Sequence, residues 1–224
     1  MSESEWKIHK FSGSSLADAD CFERVAEIVS DLPSTRLGIV VSAMGGMTNG
    51  LLALVALAEL GDSGSLKALH AIGARYADAA KQLVSGESLV KLLDDWDLDT
   101  KDIEAVLASI SKVKSASRHN RDVVSGFGEI WSARLLAAHL EEKLGSDRAG
   151  SWVDARNVIT VRQGDLGPAV LWDESRAKMA AVLEQGLSEI AVMTGFIAVD
   201  EDGQQTTLGR NGSDFSAAIF AALT

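Results

Sequence analysis

The chain has 224 residues, 46% of them hydrophobic and 24% charged, which is enough to bury one sizeable core or at most two small ones; one domain is the expectation. Its formal net charge of −11, with no basic stripe to offset it, argues against a nucleic-acid polyanion or an acidic membrane surface as partner, so an anionic small molecule needs a local positive pocket. A single cysteine, Cys21, excludes an intrachain disulfide, and the absence of a signal peptide or an apolar run of about 18 residues points to the cytoplasm.

Apolar runs rich in β-branched residues alternate with segments of helical period, the pattern of an α/β fold with a mostly parallel sheet. The chain opens with a strand at Trp6–Phe11 and a helix at Leu16–Ser30, in which Cys21 is a packing or silent surface thiol rather than a nucleophile. Between them the amides of Ser12, Gly13 and Ser14 can line a phosphate with Lys10 as a point charge, although the spacing is not that of a Walker A motif. The alternative is a solvated lysine at a strand end. A strand at Leu37–Ser42 leads through the turn Met44-Gly-Gly46 into a helix at Asn49–Glu59, near whose start Thr48 can serve as an N-terminal cap. Helices at Ser63–Val84, Gly86–Leu93 and Asp102–Lys114 follow, so that about 61–116 reads as an inserted helical subdomain.

The next helix, Arg118–Leu144, carries Glu129 beside Gly126 and Gly128, taken to lie near the helix start, where a carboxylate is favourable by about 0.3–1 kcal/mol. Trp131 and Arg134 read as packing and salt-bridge residues. A strand at Ser151–Asp154, after which Asp154 and Arg156 form a surface ion pair or, alternatively, flank a ligand crevice, precedes a helix at Glu174–Glu184 and a strand at Glu189–Thr194. A hairpin, Phe196–Val199 and Gln204–Leu208, and a last helix, Ser213–Leu223, complete the order; Pro33 and Pro168 fall in predicted loops, and no repeat or low-complexity tract interrupts it. The segment Leu208-Gly-Arg-Asn-Gly-Ser-Asp214 has the grammar of an anion-binding helix start. Gly209 and Gly212 can take positive φ, Ser213 or Asp214 can cap the helix, and Arg210 sits beside a helix N-terminus; a capped surface helix with an unrelated arginine is the alternative. Ligands of open α/β sheets gather outside the carboxyl ends of the strands, so these turns can converge on one crevice.

Four blocks, Lys10-Phe-Ser-Gly-Ser-Ser15, Val40-Val-Ser-Ala-Met-Gly-Gly-Met-Thr-Asn49, Gly126-Phe-Gly-Glu-Ile-Trp-Ser-Ala-Arg-Leu135, and Thr194-Gly-Phe196 with Leu208-Gly-Arg-Asn-Gly-Ser-Asp-Phe-Ser-Ala217, together resemble the aspartokinase branch of the amino acid kinase family. The wording is most similar to the kinase portion of bifunctional aspartokinase/homoserine dehydrogenases of the methionine-branch type. The resemblance implies a three-layer α/β/α sandwich, amino acid kinase or carbamate kinase-like, and ATP-dependent phosphorylation of L-aspartate in the bacterial cytoplasm. It implies Lys10 and Asp214 as catalytic residues, Thr48, Glu129, Arg210 and Ser213 as substrate-binding residues, and Ser12, Gly13, Ser14, Gly45, Gly209 and Gly212 as phosphate-binding residues. ATP is the implied cosubstrate, with Mg²⁺ held mainly by its phosphates, and self-association is left open.

Two departures from the family pattern accompany the resemblance. Ser12 stands where most aspartokinases have glycine, which costs about 1–2 kcal/mol if the position needs positive φ, although its hydroxyl can add a donor. The chain is also expected to be an N-terminal lobe lacking the nucleotide-binding half, the regulatory part and the dehydrogenase, and so to have little kinase activity alone. The competing expectations are a noncatalytic binding or regulatory module and a kinase of glutamate or N-acetylglutamate.

Overall fold

The computed structural model describes residues 6–33, 36–165 and 167–224. In chain order the elements are β1 (Lys7–Phe11), α1 (Ala19–Asp31), β2 (Leu37–Val41), α2 (Met47–Leu60), α3 (Gly64–Leu83), α4 (Gly86–Val113), α5 (Arg118–Leu144), β3 (Ser151–Val153), β4 (Val161–Gly164), β5 (Gly167–Val170), α6 (Trp172–Gln185), β6 (Ile190–Thr194), β7 (Ile197–Val199), β8 (Gln205–Thr207) and α7 (Gly212–Leu223). The main sheet runs β1-β2-β6-β3 with every pairing parallel. Every residue of β2 and β6 is buried, as the unbroken apolar runs Leu37-Gly-Ile-Val-Val41 and Ile190-Ala-Val-Met-Thr194 require of strands covered on both faces. Helix α5 packs against β2, β6 and β3, while α7 packs against β1 and β2. The expected α/β fold with a parallel sheet is therefore present, and α3 and α4 lie on α2 and α5.

Two features differ from the sequence reading. Helix α4 is continuous through the polar stretch Asp94–Lys101, where two helices were expected. Trp96 packs on the fully buried Trp131 with ring centroids 6.4 Å apart. One turn further on, Asp99 Oδ2 accepts hydrogen bonds from Trp131 Nε1 at 2.9 Å and Arg134 Nη1 at 2.6 Å. Contacts to another helix thus hold a segment whose local pattern is weak. Burial pushes the Asp99 carboxyl up, against the opposing pull of Arg134.

The second difference is the hairpin β4–β5, which had no counterpart in the predicted elements. Pro168 lies in β5 opposite Gln163 rather than in a loop. The two-stranded sheet leaves β5 an open edge, where a residue without an N–H is tolerated.

Candidate active site

The turns after β1, β2 and β8 meet around an open cavity of about 420 Å³, lined among others by Lys10, Gly13, Thr48, Glu129, Arg210 and Asp214. A groove of about 410 Å³ between α4 and α5 beside β3 contains none of the predicted site residues, and its charges are of both signs.

On one wall, Lys10 near the end of β1 places Nζ 3.0 Å from Asp214 Oδ1 in the first turn of α7. The lysine is three-quarters covered while the aspartate is exposed, so the ion pair orients the cation more than it stabilises the fold. Ser12 takes an ordinary extended conformation, φ −81° and ψ 166°, so the strain considered for a serine here does not arise. Its hydroxyl bonds that of Ser14 at 2.9 Å, and neither side chain lines the cavity, whereas Gly13 does. Gly45 also stays off the cavity wall, packed behind Gly13: a Cβ on Gly45 would lie 3.1 Å from the Gly13 carbonyl oxygen, and one on Gly13 would lie 2.8 Å from that of Ala43. Gly13→Ala must therefore push backbone against backbone. We expect it to lower unfolding stability in urea by about 1–3 kcal/mol; an unchanged midpoint would show that the turns are not in contact.

On the cavity floor, Glu129 is not near a helix start. Helix α5 begins at Arg118, where Ser117 and Asn120 form a reciprocal cap, and Glu129 lies three turns further in with only 4% of its surface exposed. The missing side chain of Gly128 allows this approach, since a Cβ there would sit 2.9 Å from that of Ala43. Glu129 Oε1 accepts a hydrogen bond from the Thr48 hydroxyl at 3.5 Å, while Oε2 is buried without a partner. Burial pushes the carboxyl up to about 8, against weaker opposing pulls from its own backbone N–H, that of Ala43 and the Thr48 hydroxyl. Among the described residues no cation pairs with it. Thr48 is not a helix cap: α2 begins at Met47 with Gly46 as N-cap at φ 79°, and the Thr48 side chain turns to Glu129 instead.

The third wall is the turn from β8 into α7. Asn211, at φ 58°, is the N-cap of α7, and neither Ser213 nor Asp214 caps it through its side chain. Gly209 has the expected positive φ of 75°, but Gly212 does not. Gly212 is instead required by packing, because a Cβ would fall 2.6 Å from the Phe196 ring. Arg210 is exposed on the rim and has no ion pair or hydrogen bond among the described residues, and buried Ser213 lines the wall below it. The β7–β8 hairpin that carries this turn is tied to α5, where Asp122 accepts hydrogen bonds from the Thr206 and Thr207 hydroxyls at 3.1 and 3.2 Å. Asp154 and Arg156 do not reach the cavity. They form a partly buried bidentate pair that also reaches Gln205, joining the end of β3 to β8.

Phe196 lines the cavity at φ 69°, a strained conformation for a bulky residue and a mark of functional sites. Its place in a motif was visible in the sequence; its backbone was not. The site therefore combines a lysine held by an aspartate, a free arginine and a buried carboxylate with one unmatched oxygen. That set can bind a molecule carrying two anionic groups and one cation.

A model of the amino acid kinase family matches residues 5–224. The chloroplastic bifunctional aspartokinase/homoserine dehydrogenase 1 of Zea mays is 34% identical over 97% of this chain and 24% of its own length. Solved structures of E. coli aspartokinase III match at 26% identity, the complex with lysine and aspartate with TM-score 0.84 over 99% of this chain and 47% of that one, and the complex with aspartate and ADP with TM-score 0.82 over 98% and 46%. The chain thus spans about a quarter to a half of the length of these relatives. Among the described residues no helix is long and apolar enough to cross a membrane.

Proposed function

The chain belongs to the amino acid kinase family, and from that membership we propose that it carries the amino acid site of an aspartate kinase, which transfers the γ-phosphoryl group of ATP to the β-carboxylate of L-aspartate. The observation that supports this most is the buried, unmatched Oε2 of Glu129 on the cavity floor. A buried acceptor of this kind is costly unless a cation meets it, and an α-ammonium group is such a cation. N-acetylglutamate has no ammonium to offer, so the site favours a free amino acid over that alternative.

Arg210 then clamps the α-carboxylate, bidentately through its guanidinium fork, with Thr48 and Ser213 beside the amino acid. The β-carboxylate is already a nucleophile and needs no general base. The work of the site is to hold two anions in line while charge is dispersed. One carboxylate oxygen bonds to the γ-phosphorus, the bond from that phosphorus to the bridging oxygen breaks, and ADP leaves with the electron pair. Lys10, oriented by Asp214, neutralises the β- and γ-phosphates, and the turns at Gly13, Gly209 and Gly212 let backbone approach them. Mg²⁺ would travel with the nucleotide and offset phosphate charge, held by phosphate oxygens and water. The methionine branch of the aspartate family of amino acids, and a cytoplasmic location, are the finer assignments this reading favours.

Incubation with L-aspartate, Mg-ATP and hydroxylamine tests the reading, because an acyl phosphate is trapped as the hydroxamate. We expect aspartate-dependent hydroxamate that falls by about 100-fold or more in Lys10→Met, the scale of losing one transition-state charge contact. Equal yield from the variant would contradict it, as would a folded wild type that neither forms the hydroxamate nor binds L-aspartate.

A further inference from the structure

The two turns that form the Lys10 wall and the Thr48 wall come from different strands, and little of their own joins them. The strands are linked where Ser42 N–H donates to Phe11 O at 3.1 Å, but beyond that point each turn bonds within itself, Ser15 N–H to Ser12 O and Met47 N–H to Met44 O. The contact of Gly13 with Ala43 and Gly45 is a van der Waals approach, which permits sliding. Bridging the two on the outer side is Arg75 of α3, whose Nη2 donates to Ala17 O and to Gly45 O, both at 3.0 Å. One guanidinium nitrogen thus holds the end of the turn after β1 and the middle of the turn after β2. Among the described residues Arg75 forms no ion pair, and an electrostatic pull on Asp18 is its link to an acid.

We propose that Arg75 is a positioning residue that fixes the register of these two turns, and through them the distance from Lys10 to the Glu129–Thr48 floor; the consequence for ligands rests on the aspartate kinase reading. Arg75 touches no ligand position, since it lies outside the cavity lining. Its side chain is exposed, so removing it opens no hole in the core, and water can replace it at both carbonyls. Fold stability therefore depends on it little, and the mutual placement of the turns depends on it strongly. It also makes α3 the element whose movement would be felt at the site.

Arg75→Met and Arg75→Lys in the full chain test this by amide hydrogen exchange, read segment by segment, alongside calorimetric titration with L-aspartate. In the methionine variant, residues 13–17 and 43–46 are expected to exchange about tenfold faster, with β2, β6 and α5 unchanged. Lysine, which keeps the positive charge and several N–H donors, is expected to restore the slow exchange. Aspartate affinity falls about fivefold in Arg75→Met, the worth of one net hydrogen bond, and recovers in Arg75→Lys. Unchanged exchange in the two turns overturns the proposal, as does acceleration spread evenly over the chain, which would mark a merely structural role. A wild type that binds no aspartate sinks the aspartate kinase reading alone, because the exchange arm reads the clamp without any ligand.

Discussion

Glu129→Gln is expected to make the protein more stable at pH 7 to 8 and to weaken its binding of L-aspartate by about 100-fold or more. In the folded chain the carboxyl is pushed up to about 8 from its ordinary 4.5, chiefly by burial. Below about pH 4.5 it is protonated in both folded and unfolded chains and costs nothing. Between the two values the unfolded chain releases the proton and the folded chain keeps it, so stability falls as pH rises, and the loss is complete once the folded carboxyl ionises near 8. At pH 7 the penalty is on the order of 3 kcal/mol. Glutamine does not titrate, so the difference in unfolding midpoint between wild type and variant should be small at pH 4.5 and widen towards pH 8. The same carboxyl must be ionised to meet an ammonium, so aspartate binding by the wild type releases a proton and tightens as pH rises towards 8. Loss of the charge weakens binding by about 100-fold or more, as when one partner of a buried ion pair is removed. A variant with a flat pH difference would show that Glu129 is solvated and ionised at neutral pH.

Arg210→Ala is the second large effect, and it separates cleanly from the first. The arginine is exposed and unpaired among the described residues, so its removal should leave the unfolding midpoint unchanged. Aspartate affinity should fall by about 10- to 100-fold, the range of a charged hydrogen-bonded contact. Arg210→Lys keeps the charge but not the fork and is expected to recover only part of the loss. Equal affinity in wild type and Arg210→Ala would place the α-carboxylate elsewhere. The pair of variants thus distinguishes the two ends of the amino acid: one substitution changes stability and its pH dependence together with binding, the other changes binding alone.

Much of this architecture could be read from residue types and spacing. The unbroken runs of β2 and β6 announced strands covered on both faces, and the glycine turns after β1, β2 and β8 were recognisable because each joins a strand to a helix. What could not be read were features decided by contacts between distant segments. Trp96 and Asp99 keep α4 helical through Trp131 and Arg134, which lie on another helix. The β4–β5 hairpin is short and carries few apolar residues, so no alternation marks it. In the site, Lys10 and Arg210 stand out as cations beside glycine turns and Glu129 and Asp214 by their place in the family's motifs, but the depth of Glu129 is not legible, because two neighbouring glycines suggest a helix start. They serve instead to let α5 approach its surroundings: a Cβ on Gly126 would meet the Gln205 side chain at 2.3 Å, and one on Gly128 would meet Ala43. Arg75 gave no signal at all, since an arginine on the polar face of a helix looks like a solvated residue until its two carbonyl partners are known.

Calorimetric titration of the wild-type chain with L-aspartate, run at pH 7 in two buffers of different ionisation heat and with L-glutamate as control, tests the central claim most directly. The account predicts saturable binding selective for aspartate, a buffer-dependent heat that reports proton release from Glu129, and loss of the signal in Glu129→Gln. Binding whose heat is the same in both buffers and persists in Glu129→Gln, or no binding by the folded wild type, would contradict it.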